Sequence, residues 1–108
     1  MNFVTKNLVA PFGVPAAYMH HAERFADMVS KLGVEACGAQ CLSHGRKGFE
    51  VSLCSGEHEF RLVIERDRVK LGMIRLEDQQ LVPLGEGSPA SQATFEQFTR
   101  TIRQMEDR

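Results

Sequence analysis

The stretch FEVSLCSGEHEFRLVIERDRVKLGM, Phe49 to Met73, decides how this chain folds. Phe49, Val51 and Leu53 alternate with Glu50, Ser52 and Cys54. Phe60, Leu62 and Ile64 alternate with Glu59, Arg61 and Glu65, and Val69, Leu71 and Met73 keep the same beat. A period of two sends successive side chains to opposite faces, so each run reads as a strand with one buried face. The connections Ser55-Gly56-Glu57-His58 and Arg66-Asp67 are short, which makes the neighbours antiparallel hairpins. A turn over 55–58 sets Leu53 opposite Phe60 and Val51 opposite Leu62. A turn over 66–67 sets Ile64 opposite Val69 and Leu62 opposite Leu71. A slip of one residue would break every apolar pair, so pattern and turn lengths together specify one register.

Beyond Met73 the phase changes, because Ile74 and Leu76 are apolar where polar residues are due. A bulge at Gly72 would return both to the buried face. Without it, Val63 and Ile74 make the second face partly apolar, and something has to cover it. Glu77 to Gln80 reads as a turn, and Leu81-Val82-Pro83-Leu84 as a fourth strand at the edge, where proline is tolerated. Before the meander, Val34 to Cys41 reads as a short strand or a loop.

Helices flank this sheet. Tyr18, Ala22, Phe25, Val29 and Leu32 form one stripe at helical spacing over residues 16–32. Pro15 suits the first turn, and Gly33 followed by Val34 suits a left-handed glycine cap with an apolar residue packing back. Gly85-Glu86-Gly87-Ser88-Pro89 reads as a break. A last helix then carries Phe95, Phe98, Ile102 and Met105, with Thr94 and Gln97 as a capping box or Ser88 as an earlier start. The expected fold is α+β: a three- to four-stranded antiparallel meander flanked by an N-terminal and a C-terminal amphipathic helix. It forms one domain over residues 1–108, with residues 1–15 as an extended arm that contributes a short strand around 3–9.

Composition narrows function more than it names one. The 108 residues are 43% hydrophobic, enough for a single core and against a disordered chain. A net charge of −1 removes the field of a general nucleic-acid binder, and with no Trp and one Tyr the stacking platform of an RNA-binding sheet is missing. The longest wholly apolar run is Leu62-Val63-Ile64, far short of the roughly 20 residues of a membrane span. Neither a secretory leader nor a membrane association is expected. Three cysteines cannot all pair within the chain, and free thiols point to a reducing, cytoplasmic setting.

Cys37, Cys41, Cys54 and His58, with His44 nearby, are the candidate metal ligands, and zinc is the ion such a set would take. The spacing departs from the Cys-x2-Cys knuckle, so buried thiols and surface histidines are the plainer reading. Arg46 and Lys47, between Gly45 and Gly48, are the candidate anion-binding residues, although they lack the phosphate-loop spacing. Cys54, His58 and Glu57 come nearest to a nucleophile with its base, but a wet hairpin is a poor place to activate a thiol. A pocket between sheet and helix using Cys54, His58 or Arg61 is the remaining enzyme or ligand-binding reading. No catalytic residue is assigned. His20 and His21 are adjacent, about 100° apart around their helix, and cannot grip one ion together. Arg61, Arg66, Arg68 and Lys70 interleave with Glu59, Glu65 and Asp67 and read as cross-strand ion pairs.

The order helix, strands, helix, with Phe25 to Leu32-Gly33 leading into a twisted antiparallel sheet, resembles type III secretion chaperones over residues 22–105. That resemblance implies a small cytoplasmic dimer holding an unfolded effector segment. The chain departs from the family in lacking its additional middle helix and strands. The residues themselves favour a non-catalytic protein-interaction or regulatory module, a homodimer with Phe95, Phe98, Ile102 and Met105 as its interface and room for a protein or peptide partner. A small zinc-binding domain is the other alternative.

Overall fold

The computed structural model describes residues 16–41, 48–56 and 58–106, the side chain of Cys41 excepted. Helix α1 (Ala16–Ser30) leads into five strands, β1 (Glu35–Cys41), β2 (Gly48–Cys54), β3 (Glu59–Glu65), β4 (Val69–Ile74) and β5 (Leu81–Gly87), and helix α2 (Gln92–Glu106) closes the order. The strands form one antiparallel sheet in the order β1-β2-β3-β4-β5. The fold is thus α+β, with a meander of five strands where three to four were expected. The arm over residues 1–15 lies outside the described residues.

The registers expected from turn length are the observed ones. Leu53 faces Phe60, Val51 faces Leu62, Ile64 faces Val69 and Leu62 faces Leu71. Adding the outer strands extends these pairs into rows across the inner face. One runs Ala36, Leu53, Phe60, Met73, Val82, and the next Ala39, Val51, Leu62, Leu71, Gly85. Both helices lie on this side, α1 over β1 to β3 and α2 over β5 and against α1. Phe25, Phe95 and Phe98 meet where the helices touch, with ring centroids 5.8–6.3 Å apart. Edge-to-face pairs of this kind add to the burial of the rings themselves.

Helix α1 stops as its sequence suggests. Gly33 has φ +82°, the Val34 N–H donates to the Val29 carbonyl and the Gly33 N–H to the Ser30 carbonyl. This is the double-bonded glycine cap, and Val34 is fully buried behind it. Helix α2 begins at Gln92, so Thr94 lies inside its first turn and the capping box over Thr94 and Gln97 does not mark its start. Gly85 and Gly87 are strand residues, not a break. A Cβ on Gly85 would stand 3.3 Å from Phe98, and one on Gly87 would collide with Thr94. The missing side chains let α2 settle close over β5.

The bulge expected at Gly72 falls elsewhere. β4 pairs with β3 without interruption through Gly72 opposite Arg61, and the register shift lies in the β4–β5 pairing, where Leu84 is the extra residue. Ile74 therefore stays on the outer face and Leu76 stands 72% exposed in the following turn. The apolar residues of the second face are not carried inward.

Candidate functional site

Both helices cover one side of the sheet, no other described element lies on the opposite side, and alternation fixes what that side displays. β2 turns out Glu50, Ser52 and Cys54, and β3 turns out Glu59, Arg61, Val63 and Glu65. β4 contributes Lys70, Gly72 and Ile74, and β5 contributes Leu81, Pro83 and Glu86. Register lines these up across the strands. Glu50, Val63, Lys70 and Glu86 form one row, and Ser52, Arg61, Gly72 and Pro83 the next.

Gly72 shapes the centre of this face. Its missing Cβ would lie 2.6 Å from Leu81 Cδ1, so the Leu81 side chain folds flat over the glycine while remaining half exposed. The result is a shallow pocket of about 410 Å³ bounded by Arg61, Val63, Lys70, Leu81, Pro83 and Glu86. That volume lies within the range of ligand sites, but its floor is aliphatic and its lining holds no thiol, hydroxyl or imidazole. Its chemistry is packing.

The charges around the pocket are already engaged. Arg61 sits between Glu50, at 2.5 Å, and Glu59. Burial opposes its charge, but hydrogen bonds and attraction from Glu59 and Glu50 prevail and raise its pKa. Lys70 lies 3.5 Å from Glu65, and Arg68 3.8 Å from Glu86 at an exposed edge. Salt bridges of this exposure fix side-chain direction more than they stabilise.

The sequence-derived ligand set does not assemble as read. Cys37 is the extra residue at a bulge in β1, between Ala36 opposite Leu53 and Gly38 opposite Ser52. It is disulfide-bonded to Cys54 across a Cα–Cα distance of 6.2 Å. Two of the proposed zinc thiolates are therefore consumed by each other. His58 is on the far side of the sheet from Cys54, its ring 6.0 Å from Phe60 and its Nδ1 3.5 Å from a Glu106 carboxylate oxygen at the end of α2. The hairpin that was expected to bring Cys54 and His58 together puts them on opposite faces, which removes the nucleophile–base reading as well. Cys41 ends β1 opposite Phe49. Among the described residues no three His, Cys, Asp or Glu side chains are placed to hold a metal ion. Arg46, Lys47, His44 and Glu57 lie outside the described residues.

Phe95, Phe98 and Ile102 are buried, and Met105 packs against the same core. They join α2 to α1 and the sheet within one chain, so they do not form a surface for a second copy. The His21 ring stacks on Phe95 at 6.1 Å, and its Nδ1 is buried with no hydrogen-bond partner among the described residues. Burial first, then the neighbouring His20 and Arg24 charges, lower its pKa.

Of the two readings offered for the second face, the one without a bulge at Gly72 is observed: Val63 and Ile74 are apolar at outward positions. The part that Leu81 and Pro83 play beside them was not legible, because it depends on how β5 pairs with β4. The free-thiol ground for a reducing compartment does not apply to the bonded Cys37–Cys54 pair. Among the described residues no helix is long and apolar enough to cross a membrane. Comparison with protein-family models, with curated proteins and with solved structures finds no match to this chain.

Proposed function

We propose that the chain is a non-catalytic interaction module whose working surface is the outer face of the sheet. The observation that supports this reading is the distribution of apolar side chains. Two amphipathic helices pack on the inner face, and Val63, Ile74, Leu81 and Pro83 still stand on the other. Aliphatic groups left on a sheet face, rimmed by charges, are the usual mark of a surface that another molecule covers. The engaged state of Arg61 and Lys70 suits a docking rim, where charges steer and set register, better than a centre that polarises a substrate.

Site-specific photo-crosslinking in living cells tests this reading. A photoreactive phenylalanine analogue at Pro83 is compared with the same group at Arg103, an exposed position on α2. Discrete adducts at Pro83 that are missing at Arg103 are expected. Equal, diffuse labelling at both positions would count against the outer face as the working surface.

A further inference from the structure

We infer that the Cys37–Cys54 bond is a site of reversible exchange with an external dithiol, and that its reduction releases β1 from the sheet. The bond lies where a thiol can reach it. Cys37 is exposed on an edge strand, and Cys54 is half-buried beside it at the end of β2. The bulge leaves Cys37 without a pairing partner on β2, and no described strand flanks β1 on its other side. Access of this kind separates disulfides that exchange from buried ones that resist reduction.

The electrons have to come from outside the chain. Cys41 pairs with Phe49, five positions along β2 from Cys54, which is about 17 Å at strand spacing. It is four positions from Cys37 along β1, about 12 Å, whereas a disulfide needs Cα atoms within about 7 Å. Cys41 therefore cannot resolve either sulfur while β1 is in place. Instead, one thiolate of the dithiol attacks Cys37 Sγ, the S–S bond breaks, and Cys54 leaves as a thiolate that takes a proton from water. The second thiol of the dithiol loses its proton and displaces Cys37 as a thiolate, which is protonated in turn. The chain gains two electrons and two protons, and the dithiol becomes a disulfide.

What reduction loosens follows from how little else holds β1. Among its described side chains only Ala36 is buried, whereas β2 buries Phe49, Val51 and Leu53 and β3 buries Phe60, Leu62 and Ile64. Its ladder to β2 is interrupted at the bulge. Upstream, Val34 is fully buried and its N–H donates to the Val29 carbonyl, so the chain stays anchored to α1 up to that residue. Downstream, β2 remains paired along its whole length with β3. Glu35 to Cys41 is thus the segment that the covalent link retains, and losing it moves the open edge of the sheet from β1 to β2.

Alkylation mass spectrometry and amide exchange of the folded chain, with and without dithiothreitol, test both parts. Without denaturant, dithiothreitol is expected to open the bond, read as alkylation of Cys37 and Cys54, and oxidised glutathione to close it again. Removing a closure over 17 positions multiplies the opening constant of the tied segment by up to about 150-fold. Amides of Glu35 to Gln40 are therefore expected to exchange at least about tenfold faster relative to those of β3 and β4 once the bond is open. Cys37→Ser/Cys54→Ser is expected to show the same pattern with no reductant; should that variant fail to fold, the reduced wild type gives the reading. A bond that dithiothreitol opens only in denaturant would overturn the exchange site. Equal acceleration in every strand, or loss of protection throughout the sheet, would make the bond a staple of the whole fold and overturn the release of β1.

Discussion

Replacing Cys37 and Cys54 together by serine removes a covalent link whose worth follows from chain length. The two residues are 17 positions apart, and closing a loop of that size in the unfolded chain corresponds to about 3 kcal/mol at 25 °C. For 108 residues the unfolding entropy is about 0.23 kcal/mol/K, so the same free energy displaces the thermal midpoint by about 13 °C. Calorimetry of the oxidised wild type and of the Cys37→Ser/Cys54→Ser variant measures this difference. Reductant should bring the wild type down to the variant and leave the variant unmoved. Thiol titration of unreduced, denatured protein should find one reactive cysteine per chain, that of Cys41. Three titratable thiols, or midpoints within about 3 °C of each other, would refute the bonded pair and the loop-entropy argument built on it.

Other perturbations separate the core from the surface. Phe98→Ala in the aromatic contact between the helices should cost about 3–5 kcal/mol in urea unfolding; a change in oligomeric state with stability held would instead make α2 an interface. Gly87→Ala puts a methyl group into Thr94 and should destabilise by about 1–3 kcal/mol, with Thr94→Ala restoring part of the loss, and two additive changes would contradict the close approach of α2 to β5. His21 has a lowered native pKa, so its neutral form is the one the fold accepts. Its contribution is full above the ordinary value of 6.5 and is lost as pH falls through that value toward the native one. His21→Phe should flatten the stability profile over that interval, and an NMR titration placing His21 above 6.5 would reverse the sign.

The inner face of the sheet was legible because two independent constraints agreed. Alternation in Phe49–Leu53, Phe60–Ile64 and Val69–Met73 chose the buried side, and the two short turns chose the register. The end of α1 was equally readable, since Leu32-Gly33-Val34 encodes a cap in local geometry. β1 was ambiguous for a physical reason. Its inward residues, buried Ala36 and half-buried Ala39, are small, and the bulge at Cys37 shifts their spacing from two to three, which erases the strand period. The stripe on α2 fits a sheet or a partner helix equally well, so periodicity could not choose between the core and an interface. Gly85 and Gly87 read as a break because nothing local announces Phe98 and Thr94 arriving over them. The Cys37–Cys54 bond depends on the same bulge and was out of reach for that reason.

The placement of Ile74 carried the most weight for the site. A bulge at Gly72 would have hidden it, whereas a bulge at Leu84 in the neighbouring strand leaves it outside with Val63 and Leu81. The uninterrupted pairing of β4 with β3 thus decides whether the second face of this sheet is wholly charged or partly aliphatic.

Methyl NMR of the labelled chain, alone and in an extract of the native cell, tests the outer face most directly. Methyl signals of Val63, Ile74 and Leu81 are expected to shift or broaden in the extract, while those of Leu62 and Ile102 in the core stay fixed. Changes confined to α2, or outer-face methyls that do not respond, would contradict the outer face as the working surface.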